Sequence, residues 1–337
     1  MIVIPAIDPG LQQAIDKLAR RMEQVLFEVK RVIVGQDKLL ECVLIALLAR
    51  GHLLLEGMPG LAKTLTINTL AQALQTQFKR IQFTPDLMPS DLVGSRIFDP
   101  KEAKFQTLLG PVFTNLLLAD EINRAPPKVQ SALLEAMQEG QVTIAGQSHR
   151  LHQPFVVMAT QNPIETEGTY PLPEAQVDRF MMKIIIGYPS ADEEFVVVQR
   201  AIGAPQQAQP MMTGEEVLEL QSLCGRIYVD PALIRYAVSL TTATREPARY
   251  GFASIAPQLM HGASPRASIY IIQASRALAA LRARTYVLPE DVVAVAPHVL
   301  RHRMALSDEA IANRVEPEAI IQQLLAGLTA PAKPLSA

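Results

Sequence analysis

The sequence predicts an α/β domain built on a largely parallel sheet, followed by a region of helices. Three observations lead to that reading. Five short apolar runs, at 53–55, 81–83, 116–119, 155–159 and 181–186, are separated by helix-like segments or loops. Short buried runs alternating with helices are the pattern of parallel strands covered on both faces. After Gly187-Tyr188-Pro189-Ser190 the pattern turns helical and stays so to the end of the chain.

The elements follow in order. Residues 12–31 carry Ile15, Leu18, Met22, Val25, Leu26 and Val29, a helical spacing. A second helix is predicted at 37–49, before the first run. Two stretches read as β-hairpins inserted into the sheet domain. The first lies in 93–113, with Arg96-Ile97-Phe98 and Phe105-Gln106-Thr107-Leu108 as its arms. The second pairs Gln141-Val142-Thr143-Ile144 with His149-Arg150-Leu151, and Gly146 suits a turn needing positive φ. A Pro/Gln-rich linker at 203–210 leads to helices at 215–225, 231–244, 265–284, 289–296 and 317–328, and a frayed tail follows. The domain boundary falls at 188/189.

Bulk properties narrow the class. A chain of 337 residues is enough for about two domains. Apolar residues make up 49% and charged residues 19%, as in a globular protein. Thirty-one basic against 33 acidic residues give net charge −2, so no global basic bias points to nucleic acid or an anionic membrane. Cys42 lies in an apolar run and reads as a small core residue, and neither it nor Cys224 suggests a disulfide framework. The six histidines show no zinc spacing. The N-terminus does not read as a signal peptide, and no apolar run reaches the ~18 residues needed to span a bilayer. The expectation is a cytoplasmic protein.

Two segments carry chemistry. Gly57-Met58-Pro59-Gly60-Leu61-Ala62-Lys63-Thr64 sits between an apolar run and a helix-forming segment, as a phosphate loop does. Gly57 and Gly60 allow backbone conformations that turn N–H groups toward an anion, and the following helix N-terminus adds its positive dipole end. Lys63 can reach outer phosphates, and Thr64 can ligate magnesium. Ala62 stands where the general pattern has glycine. Alone, the loop is compatible with an ordinary strand–helix turn. The second segment is Leu116-Leu117-Leu118-Ala119-Asp120-Glu121, a buried run ending in two carboxylates. An acidic strand end can also cap a helix near Pro126. With a phosphate loop upstream, the pair favours hydrolysis: Asp120 would hold magnesium, directly or through water, and Glu121 would orient or deprotonate the attacking water.

Further polar groups are less decisive on spacing alone. Asn162 ends the fourth run, where ligands of parallel sheets bind, but Asn-Pro is also a turn signal. Arg179 reads equally as a structural ion-pair partner or as an arginine finger. Arg266 falls in the first turn of a helix capped by Ser264 and begun by Pro265. A cation is disfavoured there by the helix dipole, which suggests an external anion.

With these motifs assembled, the chain resembles the MoxR family of AAA+ ATPases from about Val34 to about Arg303. The Gly57–Thr64 loop matches that family's own version, in which alanine before the lysine is normal. Gly110-Pro111-Val112-Phe113-Thr114-Asn115 runs into Asp120-Glu121-Ile122-Asn123-Arg124-Ala125-Pro126-Pro127-Lys128. Asn162-Pro163-Ile164-Glu165 leads through Gly168-Thr169-Tyr170-Pro171-Leu172-Pro173-Glu174-Ala175-Gln176 to Asp178-Arg179-Phe180. Gly262-Ala263-Ser264-Pro265-Arg266-Ala267 completes the set.

The resemblance implies a P-loop core with a five-stranded parallel sheet, hairpin insertions and an all-α lid. It implies ATP held by Gly35, Gly57, Pro59, Gly60, Leu61, Ala62, Lys63, Thr64 and Leu65, with Mg2+ on Thr64 and Asp120. Glu121, Asn162 (sensor 1), Arg179 and Arg266 (sensor 2) would be catalytic. Gly35 belongs to a turn near the adenine, and 93–113 to an insertion that interrupts the second core helix. Arg179 would act on a neighbouring subunit's nucleotide, which implies a ring, most simply a hexamer. Family members of this type act as chaperone-like remodelling or maturation factors for a protein client, with a von Willebrand factor A domain partner. Two alternatives stand beside that role. One is a nucleotide-dependent assembly switch. The other is a nucleic-acid motor using Lys101, Lys104, His149 and Arg150, which the acidic balance and an aromatic content of only 5% disfavour.

Overall fold

The first helix, α1 (Pro9–Val32), forms around a stripe of Ile15, Leu18, Met22, Val25 and Val29, each at most 1% exposed. Their alternating spacing of three and four residues keeps one face inward. Helix α2 (Asp37–Leu48) is apolar nearly all round and buries nine of its twelve residues. The computed structural model describes residues 8–58, 61, 63–162, 168–203 and 206–332.

The sheet elements come next in the chain. They are β1 (Leu53–Gly57), α3 (Lys63–Ala73), β2 (Phe78–Gln82), α4 (Pro89–Val93), the hairpin β3 (Gly94–Asp99) and β4 (Lys104–Leu109), and β5 (Leu116–Asp120). Then follow α5 (Pro127–Glu139), the hairpin β6 (Gln141–Ile144) and β7 (Gln147–Arg150), β8 (Val156–Gln161), α6 (Glu174–Val177) and β9 (Met182–Ile186). Helices α7 (Ala191–Ala201) and α8 (Gly214–Gly225) follow. The predicted five-stranded parallel sheet is present, in the order β2-β5-β8-β1-β9. β5, β8 and β1 lie inside the sheet and are nearly wholly buried along their length. That is why they read as uninterrupted apolar runs.

Strand β2 differs from its prediction. The apolar run suggested 81–83, whereas the strand is Phe78–Gln82 and carries the polar residues Lys79, Arg80 and Gln82. It is an edge strand with no fully buried residue, so only part of it looks apolar. Both predicted hairpins exist, with Phe98 opposite Phe105 in the first and Val142 opposite His149 in the second. The second turns through Ala145 and Gly146, both at positive φ (48° and 81°), as a two-residue hairpin turn requires. The first hairpin follows only the five-residue helix α4, and no helix resumes before β5.

Packing divides the chain into two compact units. One comprises Glu23–Phe180 and Ile184–Glu219. Its core joins the inner face of the sheet to α5 through Leu54, Phe83, Leu117, Val129, Leu133, Val157 and Phe180. His52 is built into that unit as a structural group. Its Nε2 meets the Met137 carbonyl at 3.0 Å, and its Nδ1 accepts the Val157 N–H at 3.0 Å. The two contacts require the neutral ring with its proton on Nε2. Burial pushes the imidazole pKa down from 6.5 to about 4.

The other unit comprises Met1–Met22, Met181–Lys183 and Leu220–Ala337. It is built on α9 (Pro231–Arg245), α10 (Pro265–Leu281), α11 (Pro289–Leu300), α12 (Asp308–Ala312) and α13 (Pro317–Gly327). A small antiparallel pair, β10 (Leu259–His261) and β11 (Ala305–Leu306), joins them. Proline opens four of these helices, where its missing N–H leaves no intrahelical bond unmade. Helix α10 buries a stripe of Ala267, Ile271, Ala274 and Leu278. Asp291, fully buried, is held by Arg282 and by a two-pronged contact from Arg284 at 2.6 and 2.7 Å.

Candidate active site

Strand register brings the site together. Leu55 of β1 lies beside Thr160 of β8, Ala119 of β5 beside Ala159, and Gln82 of β2 beside Asp120. All these strands run in one direction, so their carboxyl ends form one edge. A cavity of about 410 Å³ opens there, lined by Gly57, Leu61, Lys63, Thr64, Leu65, Arg80, Asp120, Glu121, Thr160, Gln161 and Asn162. Eight residues singled out in the sequence therefore share one cavity. Pro59, Gly60 and Ala62 lie outside the described residues.

Gly57 has a different reason to be glycine from the one expected. A Cβ there would sit 2.6 Å from the Ile186 carbonyl oxygen of β9. Close strand approach, not positive φ, excludes a side chain at that position. Lys63 opens α3 and donates from Nζ to the Gly57 carbonyl at 2.8 Å. Burial lowers its pKa, opposed by the charges of Asp120, Glu121 and Glu56. A half-desolvated ammonium above a helix N-terminus is suited to an anionic group.

The acidic pair is held mostly by residues that the motif search did not find. Thr160 Oγ1 donates to Asp120 Oδ1 at 2.6 Å and accepts the Glu121 N–H at 2.8 Å, so one hydroxyl fixes both acids. Arg80 donates Nε and Nη2 to Asp120 Oδ2 at 3.0 and 2.6 Å. Gln82 donates to Glu121 Oε2 at 2.7 Å, and Arg124 reaches the same oxygen at 3.2 Å. Glu121 itself has φ 55° and ψ 50°, a left-handed conformation that a non-glycine residue keeps only where its surroundings enforce it. Thr160, Arg80 and Gln82 have no sequence signature, and only the pairing of β2, β5 and β8 puts them beside the acids. Arg124 lies three residues after Glu121 and belongs to the motif itself.

The donor set suits a hard divalent cation. The Thr64 hydroxyl and the Asp120 carboxylate are oxygen ligands lining one cavity, which is the coordination chemistry of magnesium. Glu121 lines the same cavity and can orient a water there.

A second cavity of about 520 Å³ shares Leu61 and Leu65 with the first. Val34, Leu39, Ile186, Tyr188 and Val197 make its wall largely apolar, the surface a flat aromatic base requires. Gly35 (φ 66°) and Gln36 (φ 57°) form the turn at its edge. Gln36 accepts a hydrogen bond from Thr66 Oγ1 at 2.8 Å and donates to the Leu61 carbonyl at 2.5 Å, tying that turn to the phosphate-side loop. Its contribution had no signal in the sequence beyond its place after Gly35.

Two candidate arginines sit elsewhere. Arg179 follows α6 immediately before β9 and is not among the described residues that line the 410 Å³ cavity. Arg266 occupies the first turn of α10 in the other unit, with Ser264 Oγ accepting its N–H at 3.2 Å, the cap predicted from sequence.

Comparison with known proteins decides the family. The domain family described as ATPase family associated with various cellular activities (AAA) matches residues 52–182, and an AAA lid domain matches 252–324. Chaperone MoxR1 of Mycobacterium tuberculosis is 50% identical over 323 residues, 96% of this chain and 86% of that one.

The chain belongs to the MoxR family of AAA+ ATPases.

Protein MoxR of Paracoccus denitrificans is 34% identical over 82% of this MoxR-type ATPase and 86% of its own length. A crystal structure of a protein from Cytophaga hutchinsonii assigned as an ATPase superposes with a TM-score of 0.91 at 44% identity, over 96% of this chain and 98% of that one. The MoxR-type ATPase thus has the predicted fold, an AAA+ core and a helical lid. Its reaction is the hydrolysis of ATP. Among the described residues no three or more His, Cys, Asp or Glu side chains group to hold a metal ion, and no helix is long and apolar enough to cross a membrane.

Proposed function

We propose that this ATPase is a ring-forming, chaperone-like remodelling or maturation factor. It acts on a protein client together with a von Willebrand factor A domain partner. The observation that carries the chemical part is the convergence of Lys63, Thr64, Asp120, Glu121 and Asn162 on one cavity. The relative named as a chaperone, at 50% identity, supports the biological part.

In this reading the triphosphate lies along α3's N-terminus, with Lys63 on its outer phosphates. The adenine enters the apolar cavity beside Gly35. Pro59, Gly60, Leu61, Ala62 and Leu65 complete the cradle. Thr64 and Asp120 hold Mg2+, which would neutralise phosphate charge. Glu121 orients or deprotonates the attacking water, and Asn162 helps position it. Arg179 reaches the nucleotide of a neighbouring subunit, which requires a ring, taken here as a hexamer. Arg266, in a lid spanning 189–337, is the sensor-2 arginine. Transfer of the terminal phosphoryl group to water then leaves ADP and phosphate. Cytoplasmic residence, where ATP is abundant, is part of the same proposal.

The hairpin β3–β4 supports a protein client over nucleic acid. Ile97, Phe98, Phe105, Leu108 and Leu109 are each between 43% and 60% exposed. Exposed aliphatic and aromatic groups of that kind suit unfolded polypeptide better than a phosphate backbone. The test is affinity capture from native lysate with ATP-loaded Glu121→Gln, against Lys63→Ala. A von Willebrand factor A protein or an immature enzyme enriched with Glu121→Gln alone is the expected result. Equal recovery with both variants would remove ATP-gated client capture.

A further inference from the structure

The two oxygens of Asp120 are held in different ways. Oδ1 accepts from Thr160, a residue only 2% exposed whose hydroxyl is engaged a second time by the Glu121 N–H. That side is fixed by the interior of the sheet. Oδ2 takes both Arg80 donors, Nη2 at 2.6 Å and Nε at 3.0 Å. The Arg80 side chain is 47% exposed and projects from β2, the sheet's edge strand. Arg80 also lines the same cavity as Thr64.

We propose that Arg80 and a divalent cation compete for Asp120 Oδ2, so that Arg80 sets how tightly the site takes its metal. The proposal rests on Asp120 being the metal-holding carboxylate.

The competition follows from charge and valence. Two N–H donors already use the lone-pair directions of Oδ2. A magnesium ion bonded at about 2.1 Å, or an ordered water on the metal, needs one of those directions. A guanidinium left at 2.6 Å from the same oxygen would also face a divalent charge at close range. Arg80 is able to yield. Its other donor contact, from Nη2 to Gln82 Oε1 at 2.9 Å, lies on its own strand and does not involve Asp120. The half-exposed pair is weakened by solvent, so the guanidinium is a modest competitor and not a block.

Mn2+ titrated into the full-length protein loaded with ADP provides the test, with free Mn2+ read by its solution paramagnetic resonance signal. Arg80→Gln is expected to tighten Mn2+ binding about three- to tenfold, and Arg80→Lys, which keeps the charge but loses the fork, by less. Asp120→Asn in the same assay is expected to weaken it at least about tenfold. Unchanged Mn2+ affinity in Asp120→Asn would remove the metal role of Asp120, and this inference with it. A weakened Asp120→Asn together with unchanged or weaker binding in Arg80→Gln would overturn the competition alone. If Arg80→Gln does not fold, weaker binding in Arg80→Lys has the same meaning.

Discussion

At the scale of single residues, the acids depend on neighbours as much as on themselves. Glu121→Gln should keep ATP binding and lower turnover at least about 100-fold, because the amide cannot take a proton from water. Nucleotide affinity by fluorescence titration and phosphate release by a coupled assay separate the two effects. Thr160→Val is nearly isosteric but removes the hydroxyl that serves Asp120 and the Glu121 N–H together. Stability should fall by about 2 kcal/mol, read from urea unfolding, and turnover should fall with it. Full activity in that variant would show that Glu121 holds its left-handed conformation without Thr160. His52 adds a pH dependence. Its folded pKa of about 4 lies below the unfolded 6.5, so below pH 6.5 the unfolded chain binds the extra proton. The neutral-ring contribution is complete above pH 6.5 and is lost as pH falls toward 4, by up to about 3 kcal/mol. Urea midpoints between pH 7 and pH 4.5 should show that slope, and His52→Gln should flatten it.

At the scale of elements, register governs what the motifs can do. The strand–loop–helix from β1 to α3 and the strand-to-acid end of β5 were legible because each is contiguous. Apolar residues, glycines and carboxylates follow one another within about a dozen positions. Strand β2 was placed only roughly, since this edge strand keeps no residue fully buried and leaves a weak apolar run. With it went Arg80 and Gln82, whose positions beside Asp120 and Glu121 exist only through the pairing of β2 with β5. The junction of β1 and β9 gives another test. Gly57→Ala places a methyl 2.6 Å from the Ile186 carbonyl oxygen, and backbone cannot give way as a side chain can. The variant should lose about 2 kcal/mol or more of stability in thermal unfolding. A wild-type midpoint would mean that β9 moves aside.

At the scale of the whole molecule, the proposed ring makes a distinctive prediction. Arg179→Ala retains an intact Lys63 site, and Lys63→Ala retains an intact Arg179. If Arg179 serves a neighbour's nucleotide, mixing the two inactive variants in equal amounts restores activity at about a quarter of the interfaces. No recovery on mixing, with assembly confirmed by light scattering, would place Arg179 in a structural role within its own subunit. Family membership supports the pairing of an AAA+ core with a lid, matched at 52–182 and 252–324.

The chain by itself determined its class and its reaction. Phosphate loop, acidic strand end and alternating apolar runs are local patterns, and local backbone geometry makes them readable in linear order. Only the tertiary structure decided how the acids are held. Thr160, Arg80, Gln82 and Gln36 reach their partners across 25 to 40 residues of chain. Strand register and loop closure set such contacts, and neither leaves a mark on residue spacing.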